Sequence, residues 1–344
     1  MKNFLLIGLL TIASITVIAQ KDKEPFITKS FTNESFSETK VRTSGGSIHV
    51  NGGAAGDTRV EVYIYSNNGK HDLSKEEIQQ RLDEMYDLEI GVKNNQLVAT
   101  AKPKGKIRDW KKALSISFKV FVPQKTATDL STSGGSIHLS GVSGKQNFST
   151  SGGSLHVDNV SGTVRGRTSG GSIYVQDSKE DIDLATSGGS IEAKDCEGKI
   201  FLSTSGGSLL LKDLKGTVKA ATSGGSIDGK DISGELAAHT SGGSIHFDDL
   251  ACSLETSTSG GNIHVSIREL GKYVRISNSS GNVDLDLPKG KGLDLELEAN
   301  RVRTDRLENF TGKMKDDEVS GTVNGGGVLV RVKAGSGQIH LGLK

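Results

Sequence analysis

Apolar and polar positions alternate along this chain in a unit that recurs every 18 residues. Numbered from its leading threonine, a unit is apolar at positions 6, 8, 11, 15 and 17. In the unit that starts at Thr204 these are Leu209, Leu211, Leu214, Val218 and Ala220; in the unit at Thr186 they are Ile191, Ala193, Cys196, Ile200 and Leu202. Apolar residues two apart predict short strands with one buried face. Between the pairs most units carry a glycine (Gly144, Gly162, Gly198, Gly216, Gly234), as a bend requires. Ser-Gly-Gly at positions 2 to 4 supplies the other bend. The phrase Thr-Ser-Gly-Gly-Ser-Ile, or a close variant, opens eight consecutive units at Thr132, Thr150, Thr168, Thr186, Thr204, Thr222, Thr240 and Thr258. Self-similarity at a fixed period marks a stacked architecture, and this period is too short for helical-pair repeats. The expected fold is all-β: a single-chain parallel β-solenoid of 18-residue coils. At a strand spacing of ~4.8 Å, the regular coils make a rod segment of roughly 40 Å.

The flanks are less regular. An outlying copy of the phrase runs from Thr43 to Val50, and an alternating strand, Arg59 to Tyr65, follows it. The array then pauses for about sixty residues. Within the pause Ser74 and Glu77 form a capping box for a helix over about residues 75–86. Leu88 to Val92 and Leu97 to Ala101 read as strands about Asn94-Asn95, and Leu114 to Val122 as a further alternating strand. An open terminal coil exposes unpaired backbone, so the helix-containing insertion at 66–125 is expected to cap the N-terminal side of the rod. After Thr258 come a degenerate copy (Asn278 to Val283), the alternating Leu293 to Leu297, a variable stretch at 300–317, and two coil-like runs, Asn324 to Val330 and Gly335 to Leu341. The expected divisions are a signal peptide at 1–19, N-terminal strands and capping insertion at 20–131, and the solenoid at 132–344.

Composition changes this picture little. The chain has 45 Gly and 4 Pro among 344 residues, and every proline lies outside the regular array, where backbone N–H groups are not all ladder donors. Forty-two basic and 41 acidic side chains leave a formal charge of +1, which argues against a nucleic-acid partner. Lys2, the apolar run Phe4 to Ile18 and the small residues ending at Ala19 read as a cleaved secretory signal peptide. No second hydrophobic stretch follows, so the mature chain is expected without a transmembrane segment, in the periplasm, at the cell surface or outside the cell. Cys196 and Cys252 fall three coils apart, ~14 Å, too far for a disulfide; Cys196 reads as a small core residue.

Candidate chemistry lies in two places. Position 7 points outward, and in-register stacking turns it into a ladder: His138, His156, Tyr174, Glu192, Leu210, Asp228, His246 and His264, with His49 and His340 at the same place in the outlying copies. The pairs His138/His156 and His246/His264 are candidate binding residues. A zinc site wants three or four ligands, and the intervening Tyr, Glu, Leu and Asp interrupt the row, so no metal or other cofactor is assigned. The second place is Lys102 to Lys112, six bases, one acid and the only tryptophan. There Lys104, Lys106, Arg108 and Trp110 could touch an anionic envelope polymer or lipid headgroup, or Trp110 could simply pack on the cap. A threonine row suggests ice binding, but parity turns position 1 inward. Calcium rolls need an aspartate that the phrase lacks. No coil between 132 and 277 concentrates the acids and bases of a catalytic site.

The exported start, the early Ser-Gly-Gly-Ser-Ile-His-Val, the helix-bearing insertion, the strand ending Phe121-Val122-Pro123 and the Ser-Gly-Gly-Ser-Ile coils together resemble a bacterial domain-of-unknown-function family labelled adhesins by inference from shape. The likeness spans nearly all of the mature chain. It implies a β-solenoid in the cell envelope and transfers no catalytic residue. The reading that follows is a non-enzymatic exported envelope scaffold, an adhesin or surface or periplasmic binding protein, with an envelope polymer, glycan or protein as partner. A carbohydrate-active enzyme on a β-helix and a purely structural spacer are the alternatives.

Overall fold

A computed structural model describes residues 24–53, 56–67, 73–106 and 109–344; the expected signal peptide and Arg108 lie outside the described residues. The regular units form parallel, in-register strands. On one face Ile137–Ser140, Leu155–Asp158, Ile173–Gln176 and Ile191–Lys194 stack in turn. The ladder then passes into the longer strands Leu209–Ala221, Ile227–His239, Ile245–Thr258 and Ile263–Asn278. The predicted inward positions are the core: Leu209, Leu211, Leu214 and Val218 are fully buried. Both cysteines are free and buried within it, and burial pushes their thiols up to about 11 (Cys196) and about 12 (Cys252). Neither is a thiolate at neutral pH.

The recurring phrase follows from what the Ser-Gly-Gly bend leaves unpaired. In every regular unit the threonine hydroxyl, buried at 3–6% exposure, donates to the carbonyl of the position-4 glycine one coil back at 2.7–2.8 Å. From Thr150 to Thr258 the same oxygen accepts the N–H of its own position-4 glycine at 3.3–3.5 Å. These hydroxyls are inside the protein and occupied, so they form no ice-binding surface. Where the phrase degenerates, Asn278 does both jobs: its amide donates to Gly261 at 2.8 Å and its carbonyl accepts from Gly281 at 3.0 Å. Position 5 serines accept the N–H one coil further on, as Ser190 does from Ser208 at 3.2 Å.

Position 4 must be glycine for a different reason. A Cβ on Gly189 would stand 2.2 Å from the carbonyl oxygen of Gly171 beneath it, whereas one on Gly188 meets nothing nearer than 3.5 Å. The other corner needs left-handed backbone, and short polar side chains tolerate it best after glycine. Asn159, Asp177, Asp195, Asp213, Asp231 and Asp249 hold φ of 50–55° at position 10, a bend residue that the glycine pattern alone did not reveal. Position 13 glycines also have positive φ; Glu180 occupies that place in one coil at φ 81°.

Each end of the rod is closed by chain that overshoots and returns. At the N-terminal end, Gln96–Pro103 pairs with Glu38–Arg42, and Leu114–Val122 with Ile48–Gly52. The coil at residues 38–52 therefore lies between the rung formed by Gln96–Pro103 and Leu114–Val122 and the start of the regular array, whose strands Ala127–Ser131 and Ile137–Ser140 it also pairs. Antiparallel strands Arg59–Ser66, Ile27–Ser30 and Tyr86–Lys93 extend the two faces. The helix Lys75–Met85 starts at Ser74, whose hydroxyl accepts the Glu77 N–H, and buries Ile78 and Leu82. At the other end Val328–Ala334 is inserted between Ile263–Asn278 and Leu293–Glu298. Likewise Gln338–Leu343 lies between Val283–Leu287 and Arg301–Thr304. The two coil-like runs near the C-terminus are thus a single coil threaded back into the stack, not the last of a simple series.

The glycine geometry predicts an asymmetric pair of variants. Gly189→Ala should cost roughly 3 kcal/mol, because backbone rather than a movable side chain blocks the methyl, while Gly188→Ala should stay within about 0.5 kcal/mol of the parent. Chemical denaturation of the two proteins side by side checks this.

Candidate functional site

The in-register pairing carries position 7 along the whole rod. Lys119 of strand Leu114–Val122 lies beside His49, then come His138, His156 and Tyr174. Their rings stack: centroids are 4.3 Å apart for His49/His138, 4.3 Å for His138/His156 and 4.9 Å for His156/Tyr174, with interplanar angles of 3°, 1° and 13°. The sequence reading paired His138 with His156 and placed His49 at the same position of an outlying copy, but not as the immediate neighbour of His138, because the excursion to the rod end separates two adjoining coils in the sequence. The signal was there in the identical Ser-Ile-His phrase. His246 and His264 form a second stack at 4.8 Å, and His246 Nε2 lies 3.0 Å from Asp248 Oδ2. His340 pairs with Asp284 across the inserted coil.

Stacked imidazoles disfavour charge, since like charges one rung apart repel and half-burial removes water. Burial lowers the pKa of His49, with Lys119 and His156 adding repulsion; burial and the two flanking imidazoles lower His138 to about 4; burial lowers His156. At neutral pH these three imidazoles are uncharged. Parallel ring planes also send their in-plane lone pairs in parallel directions, so neighbouring rungs do not converge on one ion. Among the described residues no three His, Cys, Asp or Glu side chains are placed to hold a metal.

The basic stretch forms a built tip at the N-terminal end. Lys104 is tied to the helix end, its N–H donating to Met85 O at 2.9 Å and its Nζ to Asp83 O at 2.5 Å. Asp109 organises the next turn, its carboxylate accepting the Lys111 N–H at 3.0 Å and its carbonyl the Lys112 N–H at 3.1 Å. Ala113 is buried and anchors the turn, whose product is an exposed ring: Trp110 is 70% exposed. It does not pack on the cap. A depression of about 290 Å³ beside it is lined by Glu84, Met85, Lys104, Lys106, Asp109 and Lys112. Larger open clefts at the C-terminal end are lined by acids already engaged, such as Glu296 with Arg331 and Glu298 with Lys333. Among the described residues no helix is long and apolar enough to cross a membrane.

A solenoid of Ser-Gly-Gly coils with outward ladders defines the class, and comparison gives the family. Residues 107–342 match the Toastrack DUF4097 family, and the chain belongs to it. No curated protein matches. Two solved structures are similar over most of their length. One is a candidate cell adhesion protein from Clostridium sporogenes, 12% identical, covering 92% of this chain and 98% of that one at a TM-score of 0.21. The other is a candidate adhesin from Bacteroides fragilis, 13% identical, covering 92% and 96% at a TM-score of 0.26.

The histidine stack gives a pH prediction. An unfolded imidazole binds its proton near pH 6.5, whereas His138 resists until about 4. Between those values the unfolded chain holds more protons, so this contribution to stability is complete above pH 6.5 and is lost as pH falls towards 4. Thermal unfolding of the parent should lose stability from pH 7 to 5, and His138→Asn should flatten that slope.

Proposed function

We propose that this chain is an exported, non-enzymatic scaffold of the cell envelope that binds an envelope component and serves adhesion. The reading of residues 1–19 as a cleaved signal peptide supplies the export. The rod supplies reach and rigidity: its backbone polar groups are consumed in coil-to-coil ladders, and its bend carbonyls are capped by threonine. What such a frame adds to a surface is placement of a tip and of long faces, and the tip is where the repeat breaks. The observation that carries the reading is Trp110, exposed on a hydrogen-bonded turn and flanked by Lys104, Lys106, Lys111 and Lys112. A large amphipathic ring kept in water among cations suits an anionic, partly apolar partner. Lys104, Lys106 and Trp110, with Arg108 from the sequence, are its proposed binding residues.

Purified protein should sediment with an envelope fraction of its host. Replacing Lys104, Lys106 and Trp110 together by Ser should weaken that binding roughly ten-fold or more, since exposed aromatic and basic anchors dominate such contacts. Unchanged binding by the triple variant would remove the tip from the account.

A further inference from the structure

A second surface stands apart from the tip. Along the four rungs His49, His138, His156 and Tyr174 the faces between neighbouring rings are spent on one another, so His138 and His156 present only edges. Among the described residues no side chain or backbone group hydrogen-bonds to these ring nitrogens or to the Tyr174 hydroxyl. The adjacent ladder at position 9 runs Asn51, Ser140, Asp158, Gln176. Its members pair laterally, Ser140 Oγ with Asn51 Oδ1 at 3.2 Å and Gln176 Nε2 to Asp158 Oδ1 at 2.8 Å, and this fixes their orientation. Two parallel rows of polar groups result, bearing one carboxylate and no lysine over these rungs. On the next rung Glu192 and Lys194 bring charge, and there the surface dips into a depression of about 250 Å³ that also touches His156, Tyr174 and Gln176. Tyr174 is 43% exposed, and its ring face towards Glu192 has no aromatic neighbour.

We infer that this face is a binding site for a linear β-linked polysaccharide lying along the rod axis, across the outward ring edges of His49, His138, His156 and Tyr174. Repeat length selects the ligand class. The rungs recur at ~4.8 Å, and a β-1,4-linked pyranose chain, whose alternate residues are turned over, returns to the same face at a disaccharide repeat close to two rungs, whereas an extended peptide advances ~3.3 Å per residue and returns to the same face at about twice that. Such a peptide would fall out of register within a few rungs. A polyanion such as nucleic acid needs cations that these four rungs lack. Hydroxyls of successive sugars find an imidazole or phenol edge on one side and an amide, hydroxyl or carboxylate on the other. Glu192 and Lys194 close the end of the row. The lowered pKa of the imidazoles keeps the edges able both to accept and to donate hydrogen bonds at neutral pH. This site is separate from the Trp110 tip, and neither depends on the other.

Calorimetry at pH 7 with β-1,4-linked hexasaccharides of glucose and of N-acetylglucosamine, beside the matching disaccharides, tests it. At least one hexasaccharide should bind about ten-fold tighter than its disaccharide, because several rungs act together. Tyr174→Ala and His138→Asn should each weaken it about ten-fold. Leu210→Ala, two rungs beyond Tyr174, should leave it unchanged, with thermal unfolding confirming that all variants fold. No binding, equal binding of hexa- and disaccharide, or loss only in Trp110→Ser would overturn the site. The last outcome would move glycan recognition to the tip and leave the envelope-scaffold reading standing.

Discussion

The structure depends on what happens to two polar groups at one bend. Where Ser-Gly-Gly turns the chain, the position-4 glycine presents a carbonyl towards the next coil and an N–H towards its own leading threonine, both in a half-buried corner. A buried amide or carbonyl without a partner costs on the order of 1–3 kcal/mol, and the cost would recur at every coil. One threonine hydroxyl answers both, donating across coils and accepting within its own. That bond holds successive bends in contact, and contact excludes any Cβ at position 4. The invariance of the phrase is a packing result before it is anything else. Function must therefore be sought in the residues that vary, at positions 7 and 9 and at the rod ends.

Much of this was legible in the sequence because a solenoid translates sequence period directly into position. An 18-residue repeat with apolar residues at fixed places specifies strands, faces and register together, and the inward turn of Thr204 and the outward turn of Leu210 follow from parity alone. Three features were not legible. The coil at residues 38–52 pairs with strands that follow it by tens of residues on both sides, and no local pattern encodes that return. His49 therefore joins its stack only in three dimensions. The left-handed corner aspartates, such as Asp195, were visible as a column, but the glycine at position 13 drew the inference of a bend to itself. Whether Trp110 packs or projects turns on the Asp109 turn and the buried Ala113, which composition cannot weigh.

The closure of the ends connects stability to use. Residues 38–52 and 328–343 are each held between coils rather than left at the edge, so neither can peel away without opening the rod. Beyond residues 38–52 the N-terminal end is built largely from the insertion that follows them, which carries the basic tip. A stack with pinned ends keeps its ladders in register over many rungs, which the polar face from His49 to Tyr174 requires if it is to match a repeating partner.

The most direct test of the central claim is the unfolding free energy of Thr204→Val beside Thr204→Ser. Valine keeps the shape and removes the hydroxyl, leaving the Gly189 carbonyl and the Gly207 N–H without their partner. A loss of roughly 1–3 kcal/mol in the valine variant, largely absent in the serine variant, is the expected result. A valine variant as stable as the parent would show that apolar packing alone holds the coils together, and that the threonine of the phrase has some other reason to be there.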